Sequence, residues 1–228
     1  MQPVEIRSDG RTLSGNVFLP PDTGAGARPA VLFLHGLGSS QQGYLARAAQ
    51  LTERLGAVCL TFDMSGHGAG ATFHSLTPRD HLQDARNAHA ALVGQPGVDP
   101  GRVGVCGASY GAYIAIHLTG VVPVSRLALR APGMYADASF DEPLAAGRRS
   151  LVAEPSAADR TRLAAFAGPV LIVESGADEA IPAAVCDAYR RDRPDATHVL
   201  IPGATHRLTE PSWDAQFMTA LLSFFTGL

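Results

Sequence analysis

The chain has 228 residues, 46% of them hydrophobic and 17% charged, a balance that suits a folded core and is too apolar for disorder. Its formal net charge is −3, and its 18 basic residues form no block, which argues against a nucleic-acid partner. All 18 are arginine, so chemistry that needs lysine is excluded: Schiff bases, Walker-type phosphate sites and Ser–Lys dyads.

Residues 2–7 and 12–18 read as two short strands joined at Ser8-Asp9-Gly10. A Pro/Gly/Ala stretch then leads into Ala30-Val-Leu-Phe-Leu34, a continuous apolar run that marks a strand buried on both faces. Runs of the same kind lie at 57–62, 102–106 and 169–173, with shorter ones at 126–129 and 198–201. Helical patterns fall between them, at Tyr44–Leu55, Pro78–Val93, Ser109–Leu118, Ile181–Arg191 and Pro211–Phe225. Strands alternating with helices predict one α/β domain over 1–228, with a mostly parallel sheet flanked by helices. Residues 132–167 interrupt the alternation and are expected to form a small helical cap over the C-terminal edge of the sheet, where such sheets bind ligands.

Cys59, Cys106 and Cys186 are too dispersed for a disulfide framework or a zinc knuckle, which suits a reducing compartment. The first residues lack the pattern of a signal peptide, and no apolar run approaches the roughly 18 residues that span a bilayer. The expectation is a cytoplasmic protein without a membrane partner. His67, His74, His81 and His89 cluster in sequence but form no H-x-x-x-H pair, so neither a metal nor another cofactor is expected.

Gly107-Ala-Ser109-Tyr-Gly111 follows a strand and opens a helix, the context in which G-x-S-x-G forms a nucleophile elbow. The alternative is a glycine-rich turn whose Ser109 only caps the helix. A serine hydroxyl needs a base, and the base needs a group that orients it. Asp178 lies just past the strand at 169–173, and His206 lies on the loop after 198–201, which gives the order Ser, acid, His. Glu174 and Glu179 are rival acids; the first is still on the strand, and the second is expected to face away. The oxyanion that forms on attack needs donors already in place. The amide of Tyr110 is one candidate, and the amide of Leu37, in the His35-Gly36-Leu37-Gly38 loop, is the other.

These stretches resemble the α/β-hydrolase superfamily: LHGLGSS (34–40), FDMSGHGAG (62–70), GASYG (107–111), ESGADEAIP (174–182) and GATH (203–206). The resemblance implies the α/β-hydrolase fold, a Ser109–His206–Asp178 triad and a structural role for Asp63 and His67 in the turn after the second parallel strand. The elbow and the short cap look like the esterase and acyl-peptidase-like branches. The expected activity is carboxylic ester hydrolysis through an acyl-enzyme, on short-chain or aryl esters, with cinnamoyl-type esters in range. Thioesterase, amidase and acyl-peptidase activities share the triad, and a non-catalytic ligand-binding protein is a further alternative. His35, Phe73, Arg130, Met134, Tyr135 and Phe140 are the candidate substrate-binding residues, although His35 is expected chiefly to fix its loop. Arg130 is expected to pair with Asp137 or Asp141 and pin the cap; recognition of a substrate carboxylate is the alternative. The expected partner is a small-molecule ester, and the chain a monomer or homodimer.

Overall fold

A computed structural model describes residues 1–21, 26–68, 72–144, 152 and 156–228. Eight strands form one sheet: β1 (Gln2–Ser8), β2 (Arg11–Phe18), β3 (Arg28–Leu34), β4 (Val58–Phe62), β5 (Val98–Ala108), β6 (Arg126–Arg130), β7 (Val170–Ser175) and β8 (Thr197–Ile201). Their order is β1-β2-β4-β3-β5-β6-β7-β8; β2 runs antiparallel to both its neighbours, and every other pairing is parallel. The β1–β2 hairpin closes with Asp9 at φ +44° and Gly10 at φ +78°, the left-handed pair that a two-residue turn requires.

The central strands are apolar throughout because helices cover both faces. Successive side chains alternate between two cores. Leu32 and Leu34 of β3 face the helices α2 (Pro78–Val93), α3 (Tyr110–Thr119) and α5 (Ala183–Asp192). Val31 and Phe33 face α1 (Leu45–Leu55) and α6 (Pro211–Phe225). Helix α2 starts on a full capping box, in which Thr77 and Asp80 bond each other's main chains. The family's fold and the expected strands and helices are present. None of the described helices is long and apolar enough to cross a membrane.

Only part of the expected cap lies within the described residues. The described part of 132–167 holds a short 3-10 turn at Asp137–Phe140 and one helix, α4 (Ala157–Ala165). Helix α4 packs against α3 and α5. Its buried Asp159 lies 2.9 Å from the His117 ring of α3. It is therefore the crossover helix that two adjacent parallel strands, β6 and β7, require. The middle of the expected cap, 145–151 and 153–155, lies outside the described residues.

Candidate active site

The chain reverses its direction of growth across the sheet between β3 and β5, which places a crevice at their C-terminal ends. Ser109 sits there, directly after β5. Its backbone is strained, with φ +53° and ψ −117°. Both neighbouring glycines are steric requirements of this bend. A Cβ on Gly107 would lie 2.4 Å from the carbonyl oxygen of Gly111, and one on Gly111 would lie 2.3 Å from that of Leu34. Ser109 makes no side-chain capping bond to α3, which removes the reading of it as a simple helix cap.

Asp178 and His206 leave β7 and β8 on adjacent turns. The Nδ1–H of His206 donates to the Asp178 carboxylate, at 2.9 Å to Oδ2 and 3.1 Å to Oδ1. Asp178 Oδ1 also accepts from the amides of Ala180 and Ile181, each at 2.8 Å. Burial raises the Asp178 pKa, but the bonds from His206, Ile181 and Ala180 outweigh it and hold the group below the usual carboxylate range. The rival acids make other bonds, and Glu179 does not face away as expected. Glu179 accepts from the main-chain amide of His206 at 2.9 Å. Glu174 is buried on β7 and pairs with Arg190.

Ser109 and His206 line one cavity of about 1120 Å3, together with the Leu37 loop, Tyr44, Arg47 and Met64. Gly36 presses against the nucleophile; a Cβ on it would lie 3.5 Å from that of Ser109. Tyr110 is the first residue of α3, so its N–H points from the helix end with no intrahelical acceptor. Its side chain turns into the core, where its hydroxyl donates to His81 Nδ1 at 2.8 Å. His81 Nε2 in turn donates to the carbonyl of Ser65 at 3.0 Å.

Most of the expected substrate contacts lie elsewhere. His35 is 1% exposed and has no free ring nitrogen: Nδ1 donates to the carbonyl of Gly36 at 2.9 Å, and Nε2 accepts from the amide of Met64 at 3.0 Å. Burial pushes its pKa down to about 4, so the ring is neutral and fixes the loop. Phe73 stacks on His67 at 4.6 Å and does not line the cavity. Met134 and Tyr135 are buried in the core, with Tyr135 edge-on to Tyr113 at 4.9 Å. Phe140 stacks on His117 at 4.4 Å, near the far end of α3.

Arg130 does line the cavity, yet neither Asp137 nor Asp141 is its partner. Asp141 pairs with Arg79, and Arg130 Nη1 donates to the main-chain carbonyl of His206 at 2.6 Å. Asp63 and His67 have the expected structural roles. Asp63 accepts from the main-chain amide and side-chain amide of Gln41, at 2.7 Å and 3.1 Å. His67 Nδ1 lies 3.1 Å from the carbonyl of Ser65. Tyr44 and Arg47 were not singled out from the sequence, where Tyr44 reads only as the start of a helix. Among the described residues, no group of three or more His, Cys, Asp or Glu side chains is arranged to hold a metal.

Residues 31–168 match the model of the alpha/beta hydrolase family. An uncharacterized protein of Mycobacterium tuberculosis is 30% identical over 221 residues, which span 96% of this chain and 76% of that protein. Esterase FrsA of Yersinia pestis is 32% identical over 111 residues, covering 49% of this chain and 26% of that one. Among solved structures, Est1E from Butyrivibrio proteoclasticus with bound ferulic acid superposes with a TM-score of 0.76 at 20% identity, over 97% of both chains. At that identity the likeness concerns the fold.

Proposed function

Because the chain belongs to the alpha/beta hydrolase family, we propose that it is a carboxylic ester hydrolase working through Ser109, His206 and Asp178. One observation carries this reading. The His206 ring is hydrogen-bonded to a depressed carboxylate and shares a cavity with a strained serine that caps nothing.

The mechanism follows from those positions. His206 Nδ1 carries a proton held by Asp178, so the neutral ring presents an unprotonated Nε2 as base. Nε2 takes the Ser109 proton as Oγ attacks the ester carbonyl. The amides of Tyr110 and Leu37 receive the oxyanion, favoured by the positive end of α3. The protonated ring then gives its proton to the leaving alcohol, and an acyl-serine remains. Water activated by the same ring releases the acid.

The substrates in this reading are short-chain or aryl esters. Its support is the open, mixed polar and apolar cavity; Est1E, a protein of the same fold, binds ferulic acid. Labelling with a fluorophosphonate, followed by a panel of p-nitrophenyl esters, feruloyl esters, thioesters and anilides, tests it. Labelling that disappears in Ser109→Ala, with esters turned over fastest, is expected. Absence of both labelling and turnover would overturn it, and faster thioester or anilide cleavage would reassign the leaving group.

A further inference from the structure

The cavity that holds Ser109 and His206 is lined by four guanidinium groups, Arg11, Arg47, Arg130 and Arg207, and by one carboxylate, Asp63. Asp63 spends both oxygens on Gln41. Arg11 lies 3.5 Å from Asp80, and Arg47 is held by Asp214 at 2.5 Å, so those charges are balanced in place. Among the described residues no carboxylate pairs with Arg130 or with Arg207; Arg207 is exposed, whereas Arg130 is half-buried and its hydrogen bond goes to a neutral carbonyl.

Its position is also distinctive. Arg130 ends β6 in register with Ala108, one residue before Ser109, and its own carbonyl accepts from the Ser109 amide at 2.9 Å. Burial lowers its pKa from the ordinary guanidinium value; Arg47 acts in the same direction, while Tyr44 and the Asp178 carboxylate act against it. A half-buried guanidinium that lines the cavity of Ser109 with most of its five donors unspent is suited to hold an anion there. Its planar fork suits a carboxylate, which can accept two parallel bonds.

We propose that Arg130 recognises a carboxylate on the substrate, so that the preferred esters are anionic. The carboxylate belongs either to the acyl group, as in half-esters of dicarboxylic acids, or to the alcohol. This rests on the ester-hydrolase reading and narrows its substrate class.

Two matched pairs separate the sources: mono-4-nitrophenyl adipate against its adipamate, and 4-acetoxybenzoate against 4-acetoxybenzamide. Charged hydrogen bonds of this kind predict a kcat/KM ratio of anionic to neutral ester of about tenfold or more in at least one pair. Arg130 also braces His206, so Arg130→Gln should slow every ester; the ratio is the readout, and it should fall towards one. A wild-type ratio at or below one in both pairs, or a ratio undiminished in Arg130→Gln, overturns the proposal.

Calorimetric titration of the wild-type protein with adipate, adipamide and inorganic phosphate needs neither turnover nor a variant. Adipate should bind about tenfold or more tightly than adipamide. Equal binding overturns the proposal, and tighter binding of phosphate overturns the choice of carboxylate. Turnover of neutral esters without any preference for charge defeats this inference alone. Selective adipate binding by a protein that hydrolyses no ester defeats the hydrolase reading and leaves the carboxylate site standing.

Discussion

Asp178 and Glu179, adjacent in sequence, grip the same histidine at two places: Asp178 accepts from the His206 ring, and Glu179 accepts from its main-chain amide. The two acids therefore have separable effects. Only the first fixes the tautomer that a base requires.

Asp178→Asn should lower kcat by roughly 10⁴-fold, because an amide does not hold the ring in its working protonation state. Glu179→Gln keeps an acceptor for the main-chain amide and should cost less than about tenfold, since only a partly exposed bond weakens. Steady-state rates on a p-nitrophenyl ester decide between them. The reverse order of severity would move the acid to Glu179.

Ser109→Ala should reduce turnover by about 10⁴- to 10⁶-fold and leave the fold intact. Ser109→Gly should be equally inactive yet more stable than the alanine variant. A φ of +53° strains alanine and suits glycine, and releasing that strain is worth about 1 kcal/mol, or some 2–4 °C in melting temperature at this size. Equal melting temperatures for the two variants would show that the bend carries no strain.

His35 should make the protein acid-sensitive. Its folded pKa of about 4 lies below the ordinary 6.5, so below pH 6.5 the unfolded chain takes up the proton first. Its contribution is fully present above 6.5 and is lost as pH falls towards 4. The total is about 3 kcal/mol, a shift of that size converted at 1.36 kcal/mol per unit. Burial lowers His67 and His89 as well, which adds in the same direction. Urea titrations at pH 7 and pH 4.5 should differ by less in His35→Asn than in the wild type; equal differences would place the acid sensitivity elsewhere.

Phe140→Ala should change stability rather than selectivity. The ring stacks on His117 and lies under the Arg79 guanidinium at 5.1 Å, outside the cavity of Ser109. Removing it should cost about 1–2 kcal/mol, less than a fully buried phenylalanine. The rank order of acetate, butyrate, octanoate and cinnamate esters should stay as it is. A reordered series would return Phe140 to the substrate.

The strands were legible because a strand buried on both faces leaves a continuous apolar run, and the Ser109 bend because its two glycines have no substitute. Asp178 and His206 could be placed because each follows such a run at the same sheet edge. Helix α4 could not. Little of it is buried beyond Leu163 and Asp159, and Asp159 is charged, so no amphipathic stripe announces it. Arg130 failed for a different reason. Its partner is a main-chain carbonyl 76 residues away, and a carbonyl has no signature in sequence, whereas Asp137 and Asp141 offered charge nearby. Phe140, Met134 and Tyr135 were apolar residues in a suspected cap; their proximity to the sheet edge in sequence did not fix which way they face.

The crevice takes its parts from turns after six strands: Leu37 after β3, Met64 after β4, Ser109 after β5, Arg130 at the end of β6, Asp178 after β7 and His206 after β8. No two of these parts share a local segment, so the site closes only when the last strand has docked. Such long-range closure is slow compared with helix formation. On refolding from denaturant, far-UV circular dichroism should therefore recover before esterase activity. Any kinetic intermediate that lacks β8 would carry most of the sheet and no working base.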